Sequence, residues 1–200
     1  MTGSDEAMMG GDDATMTGQP ASDEEAAVSE PVTHLLAALD KLPPTGGIVL
    51  RGLDGAPDSV AALGVLTDVV ATSRQVLVAT ENLTARTLLV LLSRTGRDLS
   101  ALSAHPEEEE VALRPGTAWR RLPDPAVHGA PLPVVVLEEL DPAGYAQPTG
   151  WPATLAGLAE HVGALLRGAQ STDAVPLTRL GRFVGPWPAR TAGEGAAGWA

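Results

Sequence analysis

The stretch that decides the fold reads GRDLSALSAHPEEEEVALRPGTAW and covers residues 96–119. Its four consecutive glutamates, Glu107 to Glu110, run directly into Val-Ala-Leu, an apolar segment typical of a strand. Four neighbouring carboxylates cannot all be buried, whereas a strand beginning at the last of them would fix the direction of Glu110. A carboxylate held rigidly beside others is suited to stabilising a cationic transition state. The alternative interpretation is a solvated acidic loop.

Upstream of this stretch, three segments carry the apolar patterns of strands. Residues 47–53 read GIVLRGL and place Arg51 and Gly52 near the end of a strand. Residues 69–72, VVAT, predict a second strand. Residues 87–93 contain the unbroken run LLVLL, which indicates a strand buried on both faces. Three further elements are predicted: a short helix from Asp58 or Ser59 through Leu66, a helical turn over 75–82, and a strand over 132–140.

The order and spacing of these segments resemble the toxin-like mono-ADP-ribosyltransferases of bacteria, whose signature is Arg, then Ser-Thr-Ser, then Glu-x-Glu. Arg51-Gly52 matches the first motif, residues 71–73 (Ala-Thr-Ser) the second, and residues 108–110 (Glu-Glu-Glu) the third. The similarity covers residues 42–140, about half of the chain. It implies an α+β fold with a split sheet core and flanking helices.

The resemblance also implies a site and a reaction. In the family, ADP-ribose passes from NAD, a substrate, to a protein side chain, and a glutamate at the first position of Glu-x-Glu accompanies arginine as the target. The implied catalytic residues are Glu110 and Glu108, and the implied NAD-binding residues are Arg51, Gly52, Thr72 and Ser73. Read without the family, Arg51 would equally suit a structural ion pair with Asp54 or a neighbouring carboxylate.

The chain departs from the family pattern in three places. Ala71 replaces the first serine of Ser-Thr-Ser, which orients the catalytic glutamate in the family. Val70 stands where bacterial members usually have an aromatic residue, and the interval between Arg51 and Ala71 is short. A second hypothesis is therefore a catalytically degenerate member that serves as a binding or regulatory module, and a third is NAD glycohydrolysis, which needs Glu110 but not Glu108. Affinity for NAD through Arg51 separates an enzyme from a module.

Composition limits the remaining function classes. The net charge of −12 argues against nucleic-acid binding, and the scattered histidines and absent cysteines argue against a metal site. Because no residues form a signal peptide or a membrane-spanning run, the sequence predicts a soluble cytoplasmic protein. With 44% hydrophobic residues in 200, one ordinary domain with a largely aliphatic core is expected.

Three regions are predicted along the chain. Residues 1–28 form a disordered acidic tail, because they carry many carboxylates and little apolar surface. Residues 29–141 form the ADP-ribosyltransferase-like domain, starting with a helix capped by Ser29 and carrying Pro31 in its first turn. Residues 142–200 comprise a linker, an amphipathic helix over 155–168 that packs on the sheet or binds a protein partner, and a segment bearing Gly, Pro and Trp. This last segment either docks on the domain or presents aromatic anchors to a partner.

Overall fold

The structure is a computed structural model that describes residues 22–140 and 151–191, without the side chains of 22–30. The first element, α1, spans Ser22–Leu39 and contains Pro31 in its interior. It therefore starts before the predicted cap at Ser29; acidic residues in a first helical turn, followed by alanines, favour such a start. The rest of the predicted tail, residues 1–21, lies outside the described residues, as do residues 141–150, where most of the predicted linker falls, and the C-terminal residues 192–200. Chain contacts divide the protein after Ala37, and the sheet belongs entirely to the second unit.

An α+β architecture with one eight-stranded sheet forms this second unit. The described strands, listed in chain order, are β1 (Pro44–Leu53), β2 (Leu63–Leu66), β3 (Val70–Ser73), β4 (Thr87–Asp98), β5 (Glu110–Leu113), β6 (Ala118–Arg121), β7 (Val134–Glu139) and β8 (Ala189–Thr191). The sheet order is β1-β3-β5-β4-β7-β6-β2-β8, with a further pairing of β1 with β4. The helices of this unit are the short α2 (Val76–Ala79) and α3 (Leu155–Gln170).

The longest strand, β4, organises the sheet. It pairs with β1 along nearly its whole length, from Thr87 to Arg97, and its first part also pairs, in parallel, with β7. Its last two residues, Arg97 and Asp98, pair with β5, which continues to β3. Because β1 meets β3 at a single register position, Leu50 opposite Ser73, the sheet separates into two parts beyond that point. Arg51 lies on one side of this separation and Glu110 on the other.

Both faces of β4 are covered, as its unbroken apolar run predicts. Leu88 and Val90 belong to a core cluster with the buried face of α3, which carries Leu158, Val162 and Leu166. The alternate residues Leu89 and Leu91 belong to a second cluster around Trp119. Full burial of each such leucine contributes about 1.5–3 kcal/mol, so these two clusters supply the main apolar stabilisation.

Most sequence-based elements are observed, but one is wrong. The predicted helix from Asp58 or Ser59 through Leu66 is a single 3-10 turn, Pro57–Ser59, followed by strand β2. Pairing decides this segment: β2 lies between β6 and β8, and a Cβ on Gly64 would come within 2.6 Å of the Trp119 ring. The gain from covering the indole therefore outweighs local helix propensity. None of the helices in the described ranges has both the length and the hydropathy needed to cross a bilayer.

Candidate active site

The acidic run folds into a sharp turn that buries two of its four carboxylates. Pro106 starts a 3-10 turn ending at Glu108, and Glu109 adopts a left-handed conformation with φ of 44°. Glu110 then begins β5, as the sequence predicts. Glu108 and Glu110 are 3% and 4% exposed, whereas Glu107 is exposed. The run is thus neither a wholly solvated loop nor uniformly buried, because the turn sends alternate carboxylates inward.

Strand β3 holds this turn in place through two hydroxyls. Thr72 Oγ1 donates to the carbonyl of Val111 at 2.6 Å, and Ser73 Oγ donates to the carbonyl of Glu108 at 2.6 Å. Both residues have 0% exposure. The two residues expected to bind NAD therefore donate in this structure to the backbone that carries the glutamates, and both are fully buried.

Arg51 is buried where the sheet separates. Its Nη1 donates to the carbonyl of Ala71 at 2.8 Å and to that of Arg182 at 3.1 Å, while its buried Nε has no hydrogen-bond partner. Burial lowers the pKa of the guanidinium, and the nearby charges of Asp54 and Glu81 partly offset this effect. Within the described residues, no ion pair joins Arg51 to Asp54, so the structural ion pair considered above does not form.

Gly52 allows another segment of chain to approach β1. Its N–H donates to the carbonyl of Phe183 at 3.0 Å, and its carbonyl accepts from the N–H of Gly185 at 3.3 Å. A Cβ at this position would lie 2.6 Å from Val184 and 2.7 Å from the carbonyl of Ala79. The surroundings of Gly52, which the sequence resemblance assigns to NAD binding, are therefore protein, and the glycine is required by close backbone contact.

The residue that sequence analysis missed is Arg182. Its Nη2 binds Glu110 Oε2 in a short ion pair, and its Nη1 lies 3.4 Å from Glu108 Oε2. Glu108 Oε1 also accepts a short hydrogen bond from Thr178. Arg182 follows Glu110 by 72 residues and belongs to no local motif. Only the expectation that the C-terminal segment docks on the domain pointed toward it, and Phe183, 2% exposed, anchors that docking.

A cavity of about 520 Å³ adjoins Glu108. It lies between α2 and α3 and has mostly apolar walls, with Leu77, His161 and Leu165 among its lining residues. Glu108 lines this cavity, Arg182 binds both Glu108 and Glu110, and the buried Arg51 donates to the carbonyl of Arg182. These groups therefore form one connected region. Chemically, such a region accommodates positive charge at the carboxylates and negative charge at Arg51.

No family model matches the sequence, and no curated protein has a significant match. Solved structures similar to this chain include ADP-ribosyltransferases of bacteria. Exoenzyme S from Pseudomonas aeruginosa, solved with human 14-3-3 protein beta and carba-NAD, is 20% identical, with 66% of this chain and 68% of that chain covered and a TM-score of 0.45. The ADP-ribosyltransferase Vis, solved with agmatine, is 18% identical, with 62% of this chain and 63% of that chain covered and a TM-score of 0.48. The effector XopAI from Xanthomonas axonopodis is 23% identical, with 55% of this chain and 49% of that chain covered and a TM-score of 0.44. This chain therefore spans less than two thirds of Vis and of XopAI, and the likeness concerns the fold alone.

Proposed function

We propose that this chain transfers ADP-ribose from NAD to an arginine side chain of a protein. The observation that carries the proposal is the pair of buried carboxylates, Glu108 and Glu110, with a guanidinium bound to both. This observation agrees with the sequence resemblance, in which Glu108 and Glu110 match the two glutamates of the Glu-x-Glu motif. A guanidinium is also the acceptor group that the first glutamate of that motif accompanies in the family.

The chemistry assigns a different task to each carboxylate. When the bond between nicotinamide and ribose breaks, C1′ of the ribose gains oxocarbenium character, which a fixed carboxylate stabilises. Glu110, held at the start of β5, has that role. The acceptor guanidinium is a poor nucleophile while protonated, so Glu108 takes its proton as a nitrogen bonds to C1′ and nicotinamide leaves.

Arg51 is the residue suited to hold the diphosphate of NAD. Its Nε is buried without a partner, and a guanidinium binds phosphate through paired, charge-assisted hydrogen bonds. A phosphate oxygen would satisfy that donor. The apolar cavity beside Glu108 offers walls for the aliphatic stem of an acceptor arginine.

The Glu108→Gln variant tests the separate roles of the two carboxylates. With NAD labelled in its ADP-ribose, transfer to an arginine acceptor should fall by about 10² to 10⁴, because the general base is lost. Release of free ADP-ribose to water should continue, since it needs Glu110 alone. Labelled products separated by chromatography give both rates.

Glu107→Gln is the matched control, because Glu107 lies in the same run and its side chain is 70% exposed. This control should leave both rates unchanged. Equal transfer by the native chain and Glu108→Gln would contradict the role of Glu108, and absence of any NAD cleavage by the native chain would contradict the enzymatic function.

Ala71 supports a second candidate, a binding or regulatory module with weakened catalysis. Ala71 pairs across the strands with Ala112, two register positions from the pair of Ser73 with Glu110. A methyl group there donates no hydrogen bond toward the catalytic carboxylate. Ala71→Ser is expected to raise transfer by on the order of 10² if the missing donor limits the rate.

The same labelled-NAD measurement compares Ala71→Ser with the native chain. Label from the serine variant alone would favour the degenerate module. Equal rates would make Ala71 a tolerated variation, and no label from either chain would favour a binding role without catalysis.

A further inference from the structure

The segment 175–191, here called the C-terminal strap, crosses the candidate site and is held in place by contacts other than those of the Arg182 side chain. At its start, the side-chain amide of Asn82 donates to the carbonyl of Val175 at 3.0 Å and accepts from its N–H at 2.9 Å. At its end, β8 pairs with β2. Between these points lie the backbone hydrogen bonds to Gly52 and the buried ring of Phe183. The backbone on both sides of Arg182 is therefore anchored by contacts other than the ion pairs of Arg182.

The Arg182 side chain reaches the candidate carboxylates from the solvent side. It is 33% exposed, while the side chains of Glu108 and Glu110 are 4% and 5% exposed. Arg182 also lies over the Phe183 ring, with its guanidinium carbon 5.4 Å from the ring centroid. Since buried carboxylates require a partner, Arg182 supplies the compensating charge. While it does so, Glu108 Oε2 and Glu110 Oε2 both face the Arg182 guanidinium.

The tether makes this occupation strong. A group attached beside its binding site acts at an effective concentration of roughly millimolar or higher, which a free acceptor of the same intrinsic affinity must exceed. Resting on the proposed function, we propose that Arg182 occupies the acceptor subsite of this chain, so that an arginine acceptor must displace it from Glu108 and Glu110. The subsite thus takes a guanidinium, and the chain restrains its own activity by competition.

Binding of agmatine, a small guanidinium compound, tests the occupation without using NAD. By calorimetry, full-length Arg182→Ala should bind agmatine at least about 10-fold more tightly than the native chain, because the competitor is removed. Arg179→Ala is the matched control on the same strap and should behave like the native chain. Adding Glu110→Gln to Arg182→Ala should weaken agmatine binding again. If Arg182→Ala does not fold by circular dichroism, Arg182→Gln replaces it, since glutamine keeps donors for both carboxylates.

Turnover distinguishes failure of this inference from failure of the proposed function. Tighter agmatine binding by Arg182→Ala supports the occupied subsite even if no variant cleaves NAD, in which case the enzymatic function fails. Equal agmatine affinity in the native chain and Arg182→Ala overturns the inference, even where both chains transfer ADP-ribose.

Discussion

Glu110→Gln is expected to remain folded and to lose both ADP-ribosyl transfer and NAD glycohydrolysis by about 10³ or more, since the charge facing the oxocarbenium-like ribose is removed. The substitution nearly preserves size, and the amide oxygen still accepts from Arg182, so the turn and the start of β5 should persist. The loss should appear in the rate of the chemical step, because a neutral amide gives little electrostatic stabilisation to a developing cation. Single-turnover measurement with labelled NAD reports that rate directly.

The comparison of Glu110 with its neighbours makes the test specific. Glu107→Gln carries the same charge change at an exposed position, and Glu108→Gln should lower transfer by about 10² to 10⁴ while sparing hydrolysis. If Glu110→Gln kept hydrolysis within a few-fold of the native rate, the proposed role of Glu110 would be wrong. Circular dichroism of each variant separates a catalytic loss from unfolding.

Trp119→Ala is expected to lower the free energy of unfolding by about 3–5 kcal/mol, the usual cost of removing a large buried aromatic side chain. Trp119 is 1% exposed and belongs to the cluster on one face of β4. Its ring meets Trp187 edge to face, with centroids 6.1 Å apart. Gly64 on β2 leaves room for the same ring. Removing the indole would therefore open a cavity shared by the sheet and the strap that few neighbours can fill.

Urea denaturation followed by circular dichroism measures this effect. Trp151→Ala serves as the control, because Trp151 is only partly buried and packs against the other core cluster. The guanidinium carbon of Arg94 lies 4.8 Å from the centroid of its ring. The loss of Trp151 should cost about 1 kcal/mol. A similar small cost for Trp119→Ala would mean that the core rearranges to close the cavity.

Local pattern was sufficient for much of the fold and part of the site. The alternating and continuous apolar runs predicted the strands that carry Arg51, Thr72 and Glu110, because the hydrophobic period of a strand and its burial can be read from consecutive residues. They failed at residues 58–66, where pairing with two other strands overrode helix propensity. They also could not show that Thr72 and Ser73 give their hydroxyls to the glutamate-bearing backbone, which depends on the register of β3 with β5.

By itself, the sequence determined the strand-forming segments, the direction of Glu110 at the head of its strand, and the substitution of alanine for serine at position 71. Only the tertiary structure decided which charges meet. Arg182 reaches Glu108 and Glu110 because the chain returns past Gly52 and buries Phe183, although 72 residues separate Arg182 from Glu110. The physical reason is that local periodicity encodes which side of an element is buried, whereas the partner of a buried charge depends on how distant segments pack together.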